Sequence, residues 1–393
     1  MDADLRDLPF DLGGSLLVKR AIRAAGDGQS VQVKGTSPDL PVHLRAWCRA
    51  EGHAFRTGDS GTMVITKSSA VTERWSGAER AGGVRPETGV ADHPPRRWGL
   101  AARGALVEAG APEFDFHLAE KEEVWSGDAA RIYAMAAANQ WDPATSIPWD
   151  APFHLPAEIE EAVVQLMTYL VENETAALVV PSRFLAQLHP HFREVMQVLA
   201  IQAADEARHM EIFTRRALLR GSQPGLSTAG GQESLKTLVD EPDFAIASFL
   251  LSVLGEGTFL ILLRFIARYA PDPVTEAVCR LAAQDEARHV AFGMSHLQEH
   301  AARDPGLLGR LENAVQKRHR ELQHTAGLNA EVFDSLLLIA AGSWEHEDLR
   351  RGQRRMAKLV ADMHESRQLR LVRLGFDETR ARDLSALHTR NFM

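Results

Sequence analysis

The pentapeptide Asp-Glu-Ala-Arg-His occurs twice, at Asp205–His209 and Asp285–His289. In each copy Glu and His are three residues apart, so on a helix they lie one turn apart on one face and can grip one metal ion. A single Glu-x-x-His is expected by chance in 393 residues, and Glu321-Leu322-Gln323-His324 is taken as that one. Two identical copies within long helical patterns constrain the chain far more. They call for a bundle in which carboxylates converge.

Helical patterns cover 156–188, 191–220, 243–269 and 274–302, with Pro190, Gly225, Pro242, Pro271, Pro273 and Pro305 between them. The connection 221–242 is the longest, as in a four-helix bundle whose second and third helices are joined by a crossover. A carboxylate-bridged metal pair also needs one Glu from each of the other two helices. In antiparallel hairpins each partner lies as far before the turn as the motif lies after it. Reflecting Glu286 through Pro271-Asp272-Pro273 lands near Glu256, alone in an apolar helix. Reflecting Glu206 through His189-Pro190-His191 lands near Glu172 and Glu174. Glu174 continues the apolar stripe Val163, Met167, Leu170, Ala177, whereas Glu172 continues the polar stripe Glu161, Gln165, Thr168, Thr175. Glu174 is therefore the candidate, with Pro181 expected to kink its helix rather than end it.

The candidate ligands are Glu174, Glu206, His209, Glu256, Glu286 and His289, in a metal-binding core spanning 156–303. Four buried carboxylates repel one another, and two divalent cations neutralise them while neutral imidazoles complete the coordination. Oxygen-rich ligation with one imidazole per ion suits two iron ions, with manganese compatible.

Further helices are expected near 306–326, 329–341, 344–374 and 377–388. The first 70 residues differ: strands at Ser30–Gly35 and Gly61–Thr66 and helices at Gly14–Ala25 and Asp39–Gly52 suggest a small βαβαβ α+β domain. Residues 71–125 read as an irregular linker and 126–393 as the helical domain, so the fold class is mostly α with a small α+β domain in front. Phe244–Leu263 has transmembrane length, but Glu256 at its centre would be costly in lipid, so a buried core helix is expected and no membrane. Two cysteines, Cys48 and Cys279, exclude a disulfide framework and a cysteine-held iron–sulfur cluster within the chain. No signal peptide is visible at the acidic N-terminus, which makes a reducing cytoplasm the expected compartment. The net charge of −9 argues against a dedicated DNA-binding protein.

One Glu, one Glu-x-x-His, one Glu and one Glu-x-x-His on four helices resemble the ferritin-like diiron carboxylate superfamily over 126–305. The Asp-Glu-x-Arg-His form is especially similar to the hydroxylase subunits of bacterial multicomponent monooxygenases. Gln140-Trp141-Asp142 and Pro148-Trp149-Asp150 resemble stretches of several oxygenases of that superfamily. The resemblance implies that Asp205, Arg208, Asp285 and Arg288 support the ligands, each Asp orienting a histidine across the bundle. This chain departs from those hydroxylases at Leu260, where they carry a Thr one turn after the third-helix Glu. It departs from arylamine N-oxygenases at Ala282, where they place a further His ligand.

Residues 4–66 resemble the TusA/SirA sulfur-carrier family through Asp4–Leu8, Leu17–Ile22, Ser37-Pro38 and Trp47–His53. That family's persulfide chemistry depends on a Cys-Pro pair after the first strand, and here those places hold Phe10 and Asp11. Sulfur transfer by that route is excluded for lack of a thiolate. The domain is then expected to be a docking or substrate-covering module, with Cys48 packed and inert.

The expected function is an O2-dependent diiron oxygenase, a hydroxylase or N-oxygenase, acting on a small organic substrate, free or carrier-bound. The chain shows no Gly-rich dinucleotide fingerprint, so electrons must come from an external donor or from the substrate. A ribonucleotide-reductase-type radical subunit would need a tyrosine where Phe213 stands. A ferroxidase or iron-handling protein and a non-enzymatic sulfur-carrier-like adaptor are the alternatives. Arg350, Arg351, Arg354, Arg355, Lys358, Arg367, Arg370 and Arg373 are expected on a solvated face, paired with Glu345, Glu347, Asp362 and Glu365. An anionic partner there, tRNA included, stays open, and a homodimer is compatible.

Overall fold

A computed structural model describes residues 1–58, 62–69, 75–323 and 330–388. His324 of the isolated Glu-x-x-His therefore lies outside the described residues, as does Gly61 of the expected strand. The chain forms two compact units, one of Met1–Ala81 with Gly104–Glu113 and the other of Gly82–Arg103 with Phe114–Met393.

In the first unit β1 (Asp2–Asp4), α1 (Ser15–Ala24), β2 (Ser30–Lys34), α2 (Leu40–Glu51), β3 (Ala54–Thr57) and β4 (Met63–Thr66) follow in order. The sheet runs β1-β2-β4-β3, with β1 and β2 parallel and the other pairs antiparallel. Strand β3 corrects the expected βαβαβ. As an edge strand it buries none of its four side chains fully, so no apolar alternation announces it. Val18 and Ile22 of α1 and Leu40, Leu44 and Cys48 of α2 pack on Val31, Val33, Met63 and Ile65 of the sheet. Phe10 is buried in the same core beside Trp47. The short ladder β5 (Glu79–Arg80) with β6 (Leu106–Val107) completes this unit.

The second unit is helical: α3 (Lys121–Val124), α4 (Ala129–Ala138), α5 (Ala157–Leu185), α6 (Arg193–Leu218), α7 (Ala229–Val239), α8 (Phe244–Tyr269) and α9 (Pro273–Arg303). It ends with α10 (Leu307–Leu322), α11 (Ala330–Ala341), α12 (His346–Leu374) and α13 (Glu378–His388). Helices α5 with α6 and α8 with α9 form the two hairpins of a four-helix bundle, and α7 lies in the crossover. Helix α5 runs through Pro181 without ending. Helix α9 starts at an Asp-Pro pair, with Asp272 accepting the Thr275 amide at 2.8 Å and Pro273 supplying a preset φ at the first position. Arg216 of α6 ties that corner together, bonding Glu160, Asp272 and Thr275 from a fully buried position.

Helix α8 is the only described segment long and apolar enough to cross a membrane; its most apolar 18-residue stretch has a mean hydropathy of 2.0 and is 78% buried inside the protein. It is the core helix expected. Its segment Phe249–Glu256 is π-helical, a wider turn found mostly at functional sites, and it ends at Glu256.

The basic late helix is divided in its roles. Arg350, Arg351 and Lys358 pair with Glu347, Asp348 and Asp362 on the surface. Arg367 and Arg370 do not share that solvated face, contrary to expectation. Arg367 is fully buried and donates to the Ser385 carbonyl at 3.0 Å and to Thr258 Oγ1 at 3.1 Å. Arg370 donates from Nε to the Val253 carbonyl of the π turn at 2.7 Å, and Gly257 leaves the space its guanidinium fills.

Candidate metal centre

The bundle has two apolar clusters stacked end to end. One contains Met167, Leu170, Phe213, Leu262 and Ala282, the other Val180, Leu199, Val253, Leu254 and Phe292. On α6, α8 and α9 the candidate ligands fall between the last residues of one cluster and the first of the other, and on α5 Glu174 lies within one turn of the changeover from Ala176 to Ala177. The centre is thus a polar tier sealed at both ends, because helices with apolar stripes leave a polar gap only where the sequence places Glu and His on the inward face.

All six candidates meet there and none is more than 4% exposed. Glu174, Glu206, His209 and Glu286 form one group and Glu206, Glu256, Glu286 and His289 the other, with donor atoms in each within 4.8 Å of one another. Glu206 and Glu286 belong to both. Glu206 sets Oε2 3.1 Å from His209 Nδ1 and Oε1 3.0 Å from His289 Nδ1, while Glu286 lies 3.4 and 3.5 Å from the same two nitrogens. Glu174 at 3.8 Å from His209 and Glu256 at 3.9 Å from His289 stand at opposite ends. Two bridging and two terminal carboxylates with one imidazole at each end is a donor set for two metal ions. Glu172, the competing candidate, is half-buried outside both groups.

The aspartates act across the bundle. His209 Nε2 lies 3.2 Å from Asp285 Oδ2, and His289 Nε2 lies 3.3 Å from Asp205 Oδ2. Each histidine is thereby turned so that Nδ1 faces the centre. Arg208 donates to Asp205 at 2.5 Å and to Asp285 at 2.7 Å, and Arg288 bonds both aspartates as well. Two guanidinium groups offset two aspartates, so that outer layer is self-neutral. The four inner glutamates have no such partners.

That imbalance is the test of fit. Glu174 Oε1, Glu206 Oε1, Glu256 Oε2, both oxygens of Glu286 and His289 Nδ1 are buried without a hydrogen-bond partner. Orphaned buried acceptors are costly, and here all converge on one tier. Two divalent cations would satisfy them and balance four negative charges.

Without metal, the crowded tier favours protons on several of these groups. Burial, with Glu206 and Glu286 nearby, pushes the Glu174 carboxyl well above the ordinary range. Burial raises Glu256 as well, reinforced by Glu286 and Glu206 against the opposing pull of His289. For His209 burial favours the neutral ring, but hydrogen bonds to Asp285, Glu174, Glu206 and Glu286 outweigh it and hold the ring well above the usual imidazole range. His289 is raised in the same way, against burial, by Glu206 and Asp205. Glu206 goes down despite burial, because both histidines face it.

Several supporting residues gave no signal as ligand partners in the sequence. Gln202, one turn before Glu206, donates to Glu256 Oε1 at 2.7 Å. Gln140 donates to Asp205 at 3.0 Å and Trp141 Nε1 to Asp285 at 2.9 Å, while Arg208 stacks 4.5 Å from the Trp141 ring. Phe213 is buried with its ring 6.4 Å from His209, and Ala282 is fully buried.

No known family profile and no curated protein matches this chain. Similar solved structures include an R2-like ligand-binding oxidase from Sulfolobus acidocaldarius, with 16% identity, covering 61% of this chain and 90% of that one at a TM-score of 0.42. An R2-like ligand-binding oxidase variant with an anaerobically reconstituted Mn/Fe cofactor has 19% identity, covering 63% and 94% at a TM-score of 0.46. A third, with an aerobically reconstituted metal cofactor after photoconversion, has 18% identity, covering 68% and 93% at 0.43. Likeness of this degree leaves function to the geometry of the centre itself.

Proposed function

We propose that the protein is an O2-dependent oxygenase that holds two iron ions, or iron with manganese, and inserts oxygen into a C–H or N–H bond of a small organic substrate. The observation that carries this reading is the sealed tier of six donors with orphaned oxygens. When bound, the metals supply the redox chemistry with O2 that side chains lack.

The chain's own residues have separable tasks. Glu206 and Glu286, which belong to both donor groups, would be shared between the two ions, Glu174 and Glu256 would each serve one, and His209 and His289 present Nδ1 inward because Asp285 and Asp205 hold Nε2. Gln202 fixes one oxygen of Glu256 and leaves the other free to bind. The two apolar clusters exclude water from the tier. Leu260 in place of a Thr supplies no hydroxyl, so proton delivery through that position is not part of the proposal. Electrons come from an external donor or from the substrate. The first unit, with Phe10 in place of a nucleophile, serves as a docking or covering module, and the setting is the cytoplasm.

The alternative is a ferroxidase. Locked histidines and a sealed tier favour retained ions over released ones. Anaerobically loaded protein should hold about two irons per chain, and Glu256→Ala or His289→Ala should abolish the pair. With O2 and excess Fe(II), it should oxidise no more iron than it holds. Catalytic oxidation of free Fe(II) with mineral formation would establish the ferroxidase instead, and a single zinc per chain unaffected by both substitutions would refute the site.

A further inference from the structure

Helix α8 holds a wide turn within otherwise regular α spacing. Its π segment Phe249–Glu256 closes where the Gly257 amide reaches back five residues to the Ser252 carbonyl. The chain on either side is pinned, with Phe249, Leu250 and Val253 in one apolar cluster and Phe259, Leu262 and Leu263 in the other. The widening can therefore be displaced along α8 but not expelled. Displaced past Glu256, it would turn that side chain by about 100° around the helix, away from His289 and Gln202.

One side chain from outside the four helices holds the widening in place. Arg370 of α12 donates from Nε to the Val253 carbonyl at 2.7 Å, three residues before Glu256. Its guanidinium also lies against Gly257, the residue after Glu256, so closely that a Cβ there would stand 2.5 Å from Cζ. The two contacts bracket Glu256. Arg370 is 7% exposed, bonds Ser366 Oγ through Nη1 at 2.7 Å, and has no carboxylate partner among the described residues. Burying an uncompensated guanidinium is costly, and an apolar side chain would pack there at lower cost, so packing alone does not account for it. We infer that Arg370 is a positioning residue, which fixes the π turn in register so that Glu256 faces the His289 end of the tier. The inference rests on the two-metal reading of that tier.

The test uses the full-length protein loaded anaerobically with Mn(II), read by metal analysis after desalting and by electron paramagnetic resonance. Unsubstituted protein should hold a spin-coupled pair of ions. Arg370→Met should weaken the ion on Glu256 and His289 at least tenfold and keep the other, leaving the hyperfine signal of isolated Mn(II). Arg370→Lys keeps the stem, the charge and a donor; it should show a smaller loss at the same ion, and it carries the test if the methionine variant does not fold. Arg367→Met removes the neighbouring buried guanidinium, which bonds Ser385 and Thr258 and no carbonyl of the π turn, and should leave both ions bound. A coupled pair at unchanged affinity in the Arg370 variants, or equal loss of both ions in Arg370→Met and Arg367→Met, would overturn the inference. Unsubstituted protein that binds no pair would overturn the two-metal reading and this inference with it.

Discussion

Loading the metal-free protein with two divalent cations at neutral pH should release protons, and the number can be worked from the geometry. Each histidine has both ring nitrogens against carboxylate oxygens: His209 against Glu206 and Asp285, His289 against Glu206 and Asp205. His209 hydrogen-bonds a carboxylate through each nitrogen, as only an imidazolium can, and His289 is held toward the protonated form by Glu206 and Asp205. Glu174 and Glu256 are likewise held toward the protonated form. All four groups are biased toward holding protons that a bound cation must displace, and release of about two to four per chain at pH 7 is expected. Each displaced proton is worth about 1.4 kcal/mol per pH unit. The product of the two dissociation constants should thus fall by roughly 10² to 10⁴ for every unit of pH increase near neutrality.

The same groups set the stability of the metal-free form. A group with a raised pKa contributes stability that is fully present below its unfolded value, 4.5 for Glu and 6.5 for His, and is lost as pH climbs through the folded value. Metal-free protein should accordingly unfold more easily with each rise in pH above about 5, whereas metal-loaded protein should lack that slope. Calorimetric Mn(II) titrations in buffers of different ionisation enthalpy count the protons, and denaturant curves from pH 5 to 8 give the slope. Release of less than one proton per chain, or affinities independent of pH, would refute the assignment of these side chains as a proton-exchanged metal pair.

Gly257→Ala should destabilise the bundle by about 2–4 kcal/mol, because the new Cβ would stand 2.5 Å from Arg370 Cζ and Nε and dislodge the bond to the Val253 carbonyl. Urea unfolding checks this, and a loss below about 1 kcal/mol would mean that Arg370 is not wedged against the π turn. In the first unit Cys48 is fully buried, its thiol pushed up to about 11 by burial, and Phe10 is packed in the same core. Incubation with a persulfide donor should leave no sulfane sulfur on residues 1–70 by mass spectrometry, and a persulfide on Cys48 would contradict that.

The residues that converge in the tier were legible because helical periodicity is local. A three-residue spacing places Glu206 beside His209 whatever the surroundings, and an antiparallel hairpin converts chain distance from a turn into spatial level, which is how Glu174 and Glu256 emerge. The apolar stripe that favours Glu174 over Glu172 is local too. Strand β3 was not legible, since an edge strand with exposed side chains carries no alternation. Nor was the burial of Arg367 and Arg370. Their charge and helical spacing match Arg350 and Arg351, and only the packing of α12 on α8 separates them from solvent. The π turn before Glu256 and the Gln202 contact also belong to tertiary structure. Each depends on the rotation of one helix relative to another, and a sequence records which face a residue occupies but not what that face meets.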